Sequence, residues 1–226
     1  RLVGSEMCIR DSPDIIVSDV MMPRMNGYKL CKTIKEDINI SHIPVILLTA
    51  RDDRQSQISG YKNGADGYLS KPFEVEMLME LIRNRLKNRE YTKKRYLNAG
   101  LIPTPEESTI SLTDETFLIK LNSIIQENIE NSNLGIQFIC QEVGLGRSSL
   151  YNKLKALTGM GANEYISKLR IEKAITLISG TDMPFSEIAE KTGFTTPSYF
   201  STAFKQYTGE TPSQYKERKK KGLAGK

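Results

Sequence analysis

Two related stretches decide the fold of this chain. Ile139–Gly159 reads ICQEVGLGRSSLYNKLKALTG, and Ile188–Gly209 reads IAEKTGFTTPSYFSTAFKQYTG. Each predicts a short helix, a turn that contains Gly144 or Gly193, and a longer helix, which is the pattern of a helix-turn-helix. Equivalent residues lie 49 positions apart before the turn (139 and 188) and 50 apart after it (154 and 204), so the second turn is one residue longer.

The longer helix of each copy is amphipathic. Apolar residues recur at helical spacing and predict one buried stripe per helix: Leu150, Leu154 and Leu157, then Phe200, Phe204 and Tyr207. Ser148 (or Arg147) and Thr196 stand where an N-cap is expected, and Pro197 suits a first helical turn. The opposite faces carry donors for phosphates and base edges: Arg147, Ser149, Asn152, Lys153 and Lys155, then Ser198, Ser201, Thr202 and Lys205.

An amphipathic helix is predicted between the two copies, from Asn163 to Ser179, and Gly180 is expected to end it. At about 1.5 Å per residue it spans roughly 25 Å. A rigid strut of this length suits two reading helices that enter neighbouring major-groove segments, which repeat about every 34 Å.

Residues 117–218 resemble the DNA-binding domain of the AraC/XylS family of transcription regulators. The resemblance lies in Arg147–Tyr151, Ile188-Ala189, Gly193-Phe194, Phe204-Lys205 and Thr208–Tyr215, together with Tyr199-Phe200. It implies binding to double-stranded promoter DNA, with a dimer expected on the DNA. The residues that it implies as DNA-binding are Arg147, Ser148, Ser149, Tyr151, Asn152, Lys155, Thr196, Ser198, Tyr199, Ser201 and Lys205.

The chain before this domain has a different pattern, in which short apolar strands alternate with helices. Strands are predicted at Asp14–Asp19, Pro44–Thr49 and Gly67–Ser70. Helices are predicted from Gly27 to about Ile38, from about Asp53 to Asn63, and from Glu74 through Leu86. This alternation indicates a parallel sheet, whose site lies at the carboxyl ends of its strands. Asp19, Thr49 and Lys71 stand at those ends.

These residues resemble the receiver domain of two-component response regulators. The matching motifs are Asp19–Gly27, Leu48–Ala50, Gly64–Tyr68 and Lys71–Phe73. The resemblance implies that Asp19 accepts a phosphoryl group from the phosphohistidine of a sensor kinase. Lys71 and Thr49 would hold phosphoryl oxygens, and Tyr68 would be the switch aromatic. Asp19 and the Met21 carbonyl would be ligands of Mg²⁺.

The chain departs from the receiver pattern before Pro13. A complete receiver has two further strands, and the first ends in an acidic pair that holds Mg²⁺. Asp14 cannot replace the pair, because five residues of strand place it roughly 16 Å from Asp19. We therefore expect an incomplete Mg²⁺ site and a flavodoxin-like α/β fold with receiver strands 3, 4 and 5 only. The strand order of the family would then leave the Ile15–Val17 strand at an edge.

The expected organisation is an artefactual or disordered leader at 1–12 and a truncated receiver at 13–89. A basic, proline-containing linker follows at 90–113. An all-α double helix-turn-helix domain covers 114–219, and a disordered tail covers 220–226. Asp114 is expected to cap the first helix of that domain, whose apolar stripe is Phe117, Leu118, Leu121, Ile124 and Ile125.

Composition sets broad limits on function. The 226 residues are 38% hydrophobic and carry a net charge of +5, which suits a nucleic-acid partner without requiring one. No apolar run has the length of a membrane span. The three cysteines show no metal or disulfide spacing, and His42, the only histidine, lies at the end of a strand away from Asp19. No catalytic residues are predicted, and a cytoplasmic setting is expected.

The sequence predicts a DNA-binding transcription regulator of a two-component phosphorelay, controlled by Asp19 phosphorylation. The order of domains also resembles the C-terminal end of Bacteroidetes hybrid sensors, which would place the chain at the cytoplasmic end of an inner-membrane protein. Any kinase activity would then belong to another part of that protein. The alternative is a phosphorelay receiver whose helical domain contacts protein rather than DNA.

Overall fold

The computed structural model describes residues 13–50, 64–99 and 111–224. Within these ranges the chain forms three β-strands and nine α-helices, and it divides into two compact units. The first unit contains the described residues up to Leu118 together with Ser148–Gly159. The second contains Ile119–Arg147 and the described residues from Met160 onward.

The first unit contains the predicted α/β fold. Its elements are β1 (Ile16–Asp19), α1 (Gly27–Glu36), β2 (Val45–Thr49), β3 (Gly67–Ser70) and α2 (Val75–Ala99). The strands pair in parallel in the order β1-β2-β3, with Ile16 opposite Val45 and Ile46 opposite Gly67. Among the described residues β1 is therefore an edge strand, which confirms the predicted three-stranded sheet. The helix predicted from Asp53 to Asn63 lies outside the described residues.

The core of this fold lies between the sheet and α1. Val45, Ile46 and Leu47 are fully buried, as expected for a central parallel strand that is covered on both faces. The residues that form one buried cluster are Val20, Cys31, Ile34, Val45, Leu47 and Ala65. The apolar side of α1 therefore packs against β2, and Val20 anchors the loop after β1 in the same cluster.

Helix α2 continues past Leu86, the last residue named in the predicted helix. It continues from Val75 to Ala99, so the first ten residues of the expected linker at 90–113 are helical. The reason is local, because Val75–Ala99 contains neither glycine nor proline.

The remaining elements are all helical. They are α3 (Leu112–Glu127), α4 (Ile136–Val143), α5 (Arg147–Thr158), α6 (Ala162–Gly180), α7 (Phe185–Lys191), α8 (Pro197–Thr208) and α9 (Pro212–Ala224). Helix α9 extends past residue 219, where the disordered tail was expected to start. After Pro212 the segment has no further proline and is rich in Lys and Arg, which are good helix formers.

An aromatic core holds the second unit together. Phe194, Phe200, Phe204 and Tyr215 pack in series, with ring centroids 5.4, 5.7 and 5.6 Å apart. The residues buried with them come from α6 and α7: Ile171, Ala174, Ile178, Ile188 and Ala189. Packing of α6, α7, α8 and α9 around these rings gives α8 a fixed orientation within its unit.

The turns of both helix-turn-helix copies use left-handed glycines, as predicted. Gly144 has φ 73° and Gly193 has φ 72°. Thr196 is the N-cap of α8, since its side chain accepts a hydrogen bond from the Tyr199 amide at 3.1 Å. The prediction of a cap at Ser148 or Arg147 is wrong, because α5 already begins at Arg147.

Two further expectations require correction. Asp114 does not precede its helix, because α3 begins at Leu112. Asp114 is instead buried in the first turn, where its Oδ2 accepts a hydrogen bond from Ser111 Oγ at 2.8 Å. Tyr207 does not complete the buried stripe of α8. It is exposed, and its hydroxyl donates to Glu172 Oε1 at 3.3 Å.

Candidate phosphoacceptor site and nucleic-acid interface

The carboxyl edge of the sheet brings together residues from three strands. Asp19 is the last residue of β1 and stands opposite Leu48. Thr49 is the last residue of β2 and stands opposite Ser70, the last residue of β3. Lys71 follows directly, and its amide donates to the Thr49 carbonyl at 2.6 Å. Parallel pairing therefore places an acid, a hydroxyl and an amine at one edge.

Asp19 and Lys71 are in direct contact. The Lys71 ammonium donates to Asp19 Oδ2, and the Met21 amide donates to Oδ1 at 3.0 Å. The hydrogen bond from Lys71, followed by the one from Met21, holds the pKa of Asp19 below its ordinary value. The carboxylate is therefore ionised, which is its nucleophilic form, and both side chains remain partly open to solvent.

The loop after β1 fixes the position of Asp19. Asn26 caps α1 by accepting a hydrogen bond from the Lys29 amide at 2.8 Å. Gly27 then passes so close to β1 that a Cβ atom would lie 2.4 Å from the Asp19 carbonyl oxygen. Only glycine allows this approach. Gly27 and Asn26 thus position the site without touching the carboxylate.

Thr49 and Tyr68 have different surroundings at the same edge. Thr49 is buried. Tyr68 is half-buried, and its hydroxyl lies 2.9 Å from the hydroxyl of Tyr28 on α1, where either group can donate. The switch roles of both residues stay predictions.

Helix α5 exposes most of the residues that were predicted to read DNA. Arg147, Ser148, Tyr151 and Lys155 are exposed, and Ser149 and Asn152 are half-buried. The guanidinium of Arg147 donates to Gln137 Oε1 at 3.0 Å. Lys153 contradicts the sequence analysis, which placed it on the polar face, because its side chain is fully buried.

Helix α8 presents a comparable face. Thr196, Ser198, Tyr199 and Lys205 are exposed, and Ser201 is half-buried. The ring of Tyr199 packs edge-on against Phe194, with centroids 5.7 Å apart, so this exposed side chain has a fixed base. Hydroxyl, ring and ammonium groups are thus available on one side, while Phe200 and Phe204 bury the other.

Comparison with known proteins identifies both parts of the chain. A family model described as "Response regulator receiver domain" matches residues 4–83, and one described as "Helix-turn-helix domain" matches residues 139–218. The "Probable transcriptional regulator ycf29" of Pyropia yezoensis is 30% identical over 162 residues, which cover 67% of this chain and 73% of that protein. The chain belongs to the response-regulator family.

Other relatives differ in how much of their length is matched. "Histidine kinase P4" of Formosa agariphila is 41% identical to this response regulator over 216 residues. The match covers 96% of the chain but only 16% of that protein. Among solved structures, the C-terminal domain of AraT, a response regulator from Geobacillus stearothermophilus, is 31% identical, with a TM-score of 0.43. That likeness covers 45% of this chain and 84% of the other.

The response regulator thus combines a receiver domain with an AraC-type helix-turn-helix domain, which is the composition of a two-component DNA-binding transcription regulator. Neither matched domain type is catalytic. The alternative, in which the helical domain serves protein contacts, is not favoured. Over the residues that the structure describes, no helix has the length and apolar character to cross a membrane.

An incomplete Mg²⁺ site was predicted at Asp19 and the Met21 carbonyl. Within the described part of the receiver, no three His, Cys, Asp or Glu side chains are grouped to hold a metal. Asp19 Oδ2 is already engaged by Lys71, and the Met21 carbonyl would be one further oxygen. Mg²⁺ usually keeps several water ligands and is held by one or two carboxylates, so the incomplete site stays a prediction. Receiver domains, the family that this segment matches, generally bind Mg²⁺.

Two kinds of positioning residue in this response regulator were not predicted from its sequence. Asn26 and Gly27 were quoted only as part of a motif, although a glycine directly after Asn and close behind a strand is itself a signal for a tight approach. The burial of Lys153 had no local signal, because it depends on partners that are distant in sequence.

Proposed function

We propose that this chain is the DNA-binding output of a two-component phosphorelay, and that it reads promoter DNA with α5 and α8. The observation that carries the proposal is the pair of helices with one buried face and one exposed polar face in an AraC-type domain. Arg147, Lys155 and Lys205 would contact phosphates. The polar side chains would contact phosphates or base edges: Ser148, Ser149, Tyr151, Asn152, Thr196, Ser198, Tyr199 and Ser201.

Asp19 is the proposed phosphoacceptor. One of its carboxylate oxygens would attack the phosphorus of a phosphohistidine, forming an acyl phosphate as the N–P bond breaks. The imidazole would leave with the electron pair of that bond and take up a proton. Lys71, already at the carboxylate, would balance charge on a phosphoryl oxygen, and Thr49 would donate to another.

The donor would be a sensor kinase, either a separate protein or another part of the same polypeptide. The similarity to "Histidine kinase P4" over almost the whole chain supports the second arrangement, in which this chain is the output end of a hybrid sensor. Because bacterial DNA lies in the cytoplasm, the proposed function places the chain there. We propose a dimer on DNA, since the reading of repeated half-sites favours it.

DNA binding at varied salt tests the proposal. Duplexes are first enriched from a random-sequence library by the wild-type chain, and affinity is then measured from about 50 mM to about 200 mM salt. Binding should weaken steeply as salt rises. Arg147→Ala and Lys205→Ala should each weaken specific binding, and loss of one phosphate contact should lower the salt slope by about 1.

Two variants serve as controls. Lys120→Ala removes an exposed cation of α3 outside the reading helices and should leave the slope unchanged. Asp19→Asn should leave the DNA affinity of the unphosphorylated chain unchanged, because the proposed role of Asp19 begins with phosphorylation. If no duplex is enriched, or if binding is insensitive to salt, the helical domain does not read DNA.

A further inference from the structure

A buried polar cluster joins three distant segments of the first unit. The ammonium of Lys153, on α5, donates to Asp114 Oδ1 and to Ser41 Oγ, the latter at 2.7 Å. Ser41 Oγ in turn donates to Asp114 Oδ1 at 2.7 Å. Ser41 lies between α1 and β2, and Asp114 lies in the first turn of α3. We call Ser41, Asp114 and Lys153 the Lys153 clamp.

All three side chains of the clamp are withdrawn from solvent. The exposed fractions are 0% for Ser41, 2% for Asp114 and 0% for Lys153. Burial lowers the pKa of Lys153, and the neighbouring Asp114 carboxylate opposes that effect. A buried ammonium is tolerated only when it is paired and hydrogen-bonded with good geometry. The position of Lys153 is therefore tightly specified by its partners.

The surroundings of the clamp satisfy the remaining polar atoms. Asp114 Oδ2 accepts from Ser111 Oγ at 2.8 Å, and the Lys153 ammonium lies 5.1 Å from the centre of the Phe117 ring. Thr113 Oγ1 also donates to the Lys35 carbonyl at 3.0 Å, which ties the start of α3 to the end of α1. Satisfied buried networks of this kind select one arrangement over its alternatives.

The clamp determines which side of α5 faces outward. Lys153 points into the unit, and Arg147, Ser148, Tyr151 and Lys155 on the same helix remain exposed. We propose that Lys153 is a positioning residue for DNA reading by α5. It does not contact DNA, and its role is to hold the reading face of α5 accessible through Asp114 and Ser41. This inference rests on the proposed function, because it requires that α5 reads DNA.

The position of Ser41 gives the clamp a second consequence. Ser41 belongs to the segment that matches the receiver model, residues 4–83, whereas Lys153 belongs to the segment that matches the helix-turn-helix model, residues 139–218. The clamp is thus a direct contact between these two segments within the first unit, through which the receiver would act on the first reading helix. A substitution at Ser41 should therefore lower DNA affinity, although Ser41 is not among the residues proposed to contact DNA.

Ser41→Ala is the mildest test of the clamp. It removes one hydroxyl that bonds to two charged groups, and we expect DNA affinity to fall about tenfold, the effect of losing a hydrogen bond to a charged partner. The salt slope should not change, because no phosphate contact is lost. Lys155→Met is the matched control two residues from Lys153, and it should lower the salt slope by about 1.

Lys153→Met tests the ammonium itself. It too should weaken binding at an unchanged salt slope. The double variant with Ser41→Ala should lose less binding free energy than the sum of the two single losses, because both residues act through one network. Stoichiometric titration gives the binding-competent fraction of each preparation. Loss through unfolding lowers that fraction, whereas a misplaced helix raises Kd at an unchanged fraction.

The outcomes separate this inference from the function beneath it. The experiment uses a duplex that the wild-type chain has enriched from the random library. Failure of the wild type to enrich any duplex rejects DNA reading and the positioning role together. If the wild type binds but Ser41→Ala binds equally well or more tightly, or if Lys153→Met lowers the salt slope, the clamp is not a positioning device. Amide hydrogen exchange in α5 should quicken in Ser41→Ala, and unchanged exchange contradicts the clamp even where affinity falls.

Discussion

Burial and neighbouring charges shift the pKa of the His42 imidazole. It is 8% exposed, and its Nδ1 has no hydrogen-bond partner among the described residues. Burial lowers the pKa of His42 to about 4, and the nearby Lys153, Arg89 and Lys35 charges act in the same direction, against Asp114. The imidazole is therefore neutral at pH 7. In the folded chain it takes up a proton only near pH 4, so protonation favours the unfolded chain.

The stability of the first unit should consequently depend on pH through His42. The unfolded chain binds this proton near pH 6.5 and the folded chain only near pH 4. Stability should thus be retained above pH 6.5 and be lost as the pH falls from 6.5 to about 4. A pKa shift of this size lowers the free energy of unfolding by about 3 kcal/mol at most.

The measurement compares urea unfolding of the wild type with that of His42→Gln at pH 7.5 and pH 5. Carboxylates titrate in both proteins, so the difference between the two isolates the contribution of the imidazole. The wild type should lose more stability than the variant between these pH values. Equal losses would mean that His42 is protonated in the folded chain as readily as in the unfolded one.

At the scale of single residues, Lys153 and Lys155 show what a sequence pattern cannot predict. Both were predicted to lie on the polar face of α5, yet Lys155 is exposed and Lys153 is fully buried. Helical spacing places Lys153 beside the stripe of Leu150 and Leu157, where a lysine is normally assumed to turn outward. Its burial depends on Asp114, which lies 39 residues away in sequence. A periodic pattern cannot contain that information.

At the scale of elements, the two helix-turn-helix turns look equivalent but differ in packing. Gly193 and Gly144 both adopt left-handed backbone, with φ near 72° and 73°. A Cβ atom on Gly193 would lie 2.2 Å from the Ile129 carbonyl oxygen and 2.9 Å from the Arg170 guanidinium. A Cβ atom on Gly144 would meet nothing within 4 Å. Backbone strain is therefore common to both positions, and steric conflict is specific to Gly193.

Alanine at these positions should separate the two effects. Gly144→Ala should cost about 1–2 kcal/mol, which is the strain of a non-glycine residue in left-handed backbone. Gly193→Ala should cost a further 1–3 kcal/mol or so, because Arg170 or the backbone of Ile129 must shift. Urea unfolding monitored by helix content gives both values. Equal losses would show that the Ile129 contact relaxes freely.

Helix boundaries were predictable where the signals for ending a helix are local. Left-handed glycines, the Thr196 cap and the amphipathic stripes all follow from residues that are adjacent in sequence. A helical extension through the basic residues 83–95 was the favoured interpretation, and α2 continues to Ala99, whereas the start of α3 at Leu112 precedes the expected cap at Asp114. Arg and Lys are good helix formers, which suits a helix that continues through this basic segment.

At the scale of the whole molecule, the order of strands and helices was predictable and the coupling between segments was not. Alternating strands and helices fixed a parallel sheet with its site at the carboxyl edge, where Asp19 and Lys71 do meet. Contacts that join distant segments, such as those of the Lys153 clamp, have no periodicity and depend on the folded chain.

The three-stranded sheet has a consequence for the behaviour of the chain in solution. Among the described residues β1 pairs only with β2, and its Val17 side chain is 39% exposed. An apolar strand with one open side is a template for pairing with another copy. The second unit, by contrast, is held by an extended aromatic core. We therefore expect Pro13–Leu86 to be the less stable part of the chain.

Limited proteolysis with thermolysin tests this difference, since cleavage reports the population of opened chain. Cleavage within Pro13–Leu86 should precede cleavage within Met160–Lys221, with mass spectrometry locating the sites.

Val17→Lys places a charge on the open edge, and it should reduce concentration-dependent association because charged edge strands resist pairing. It should leave the protease resistance of Met160–Lys221 unchanged. Equal resistance of the two segments, or association that persists in Val17→Lys, would show that the β1 edge is protected in the folded chain.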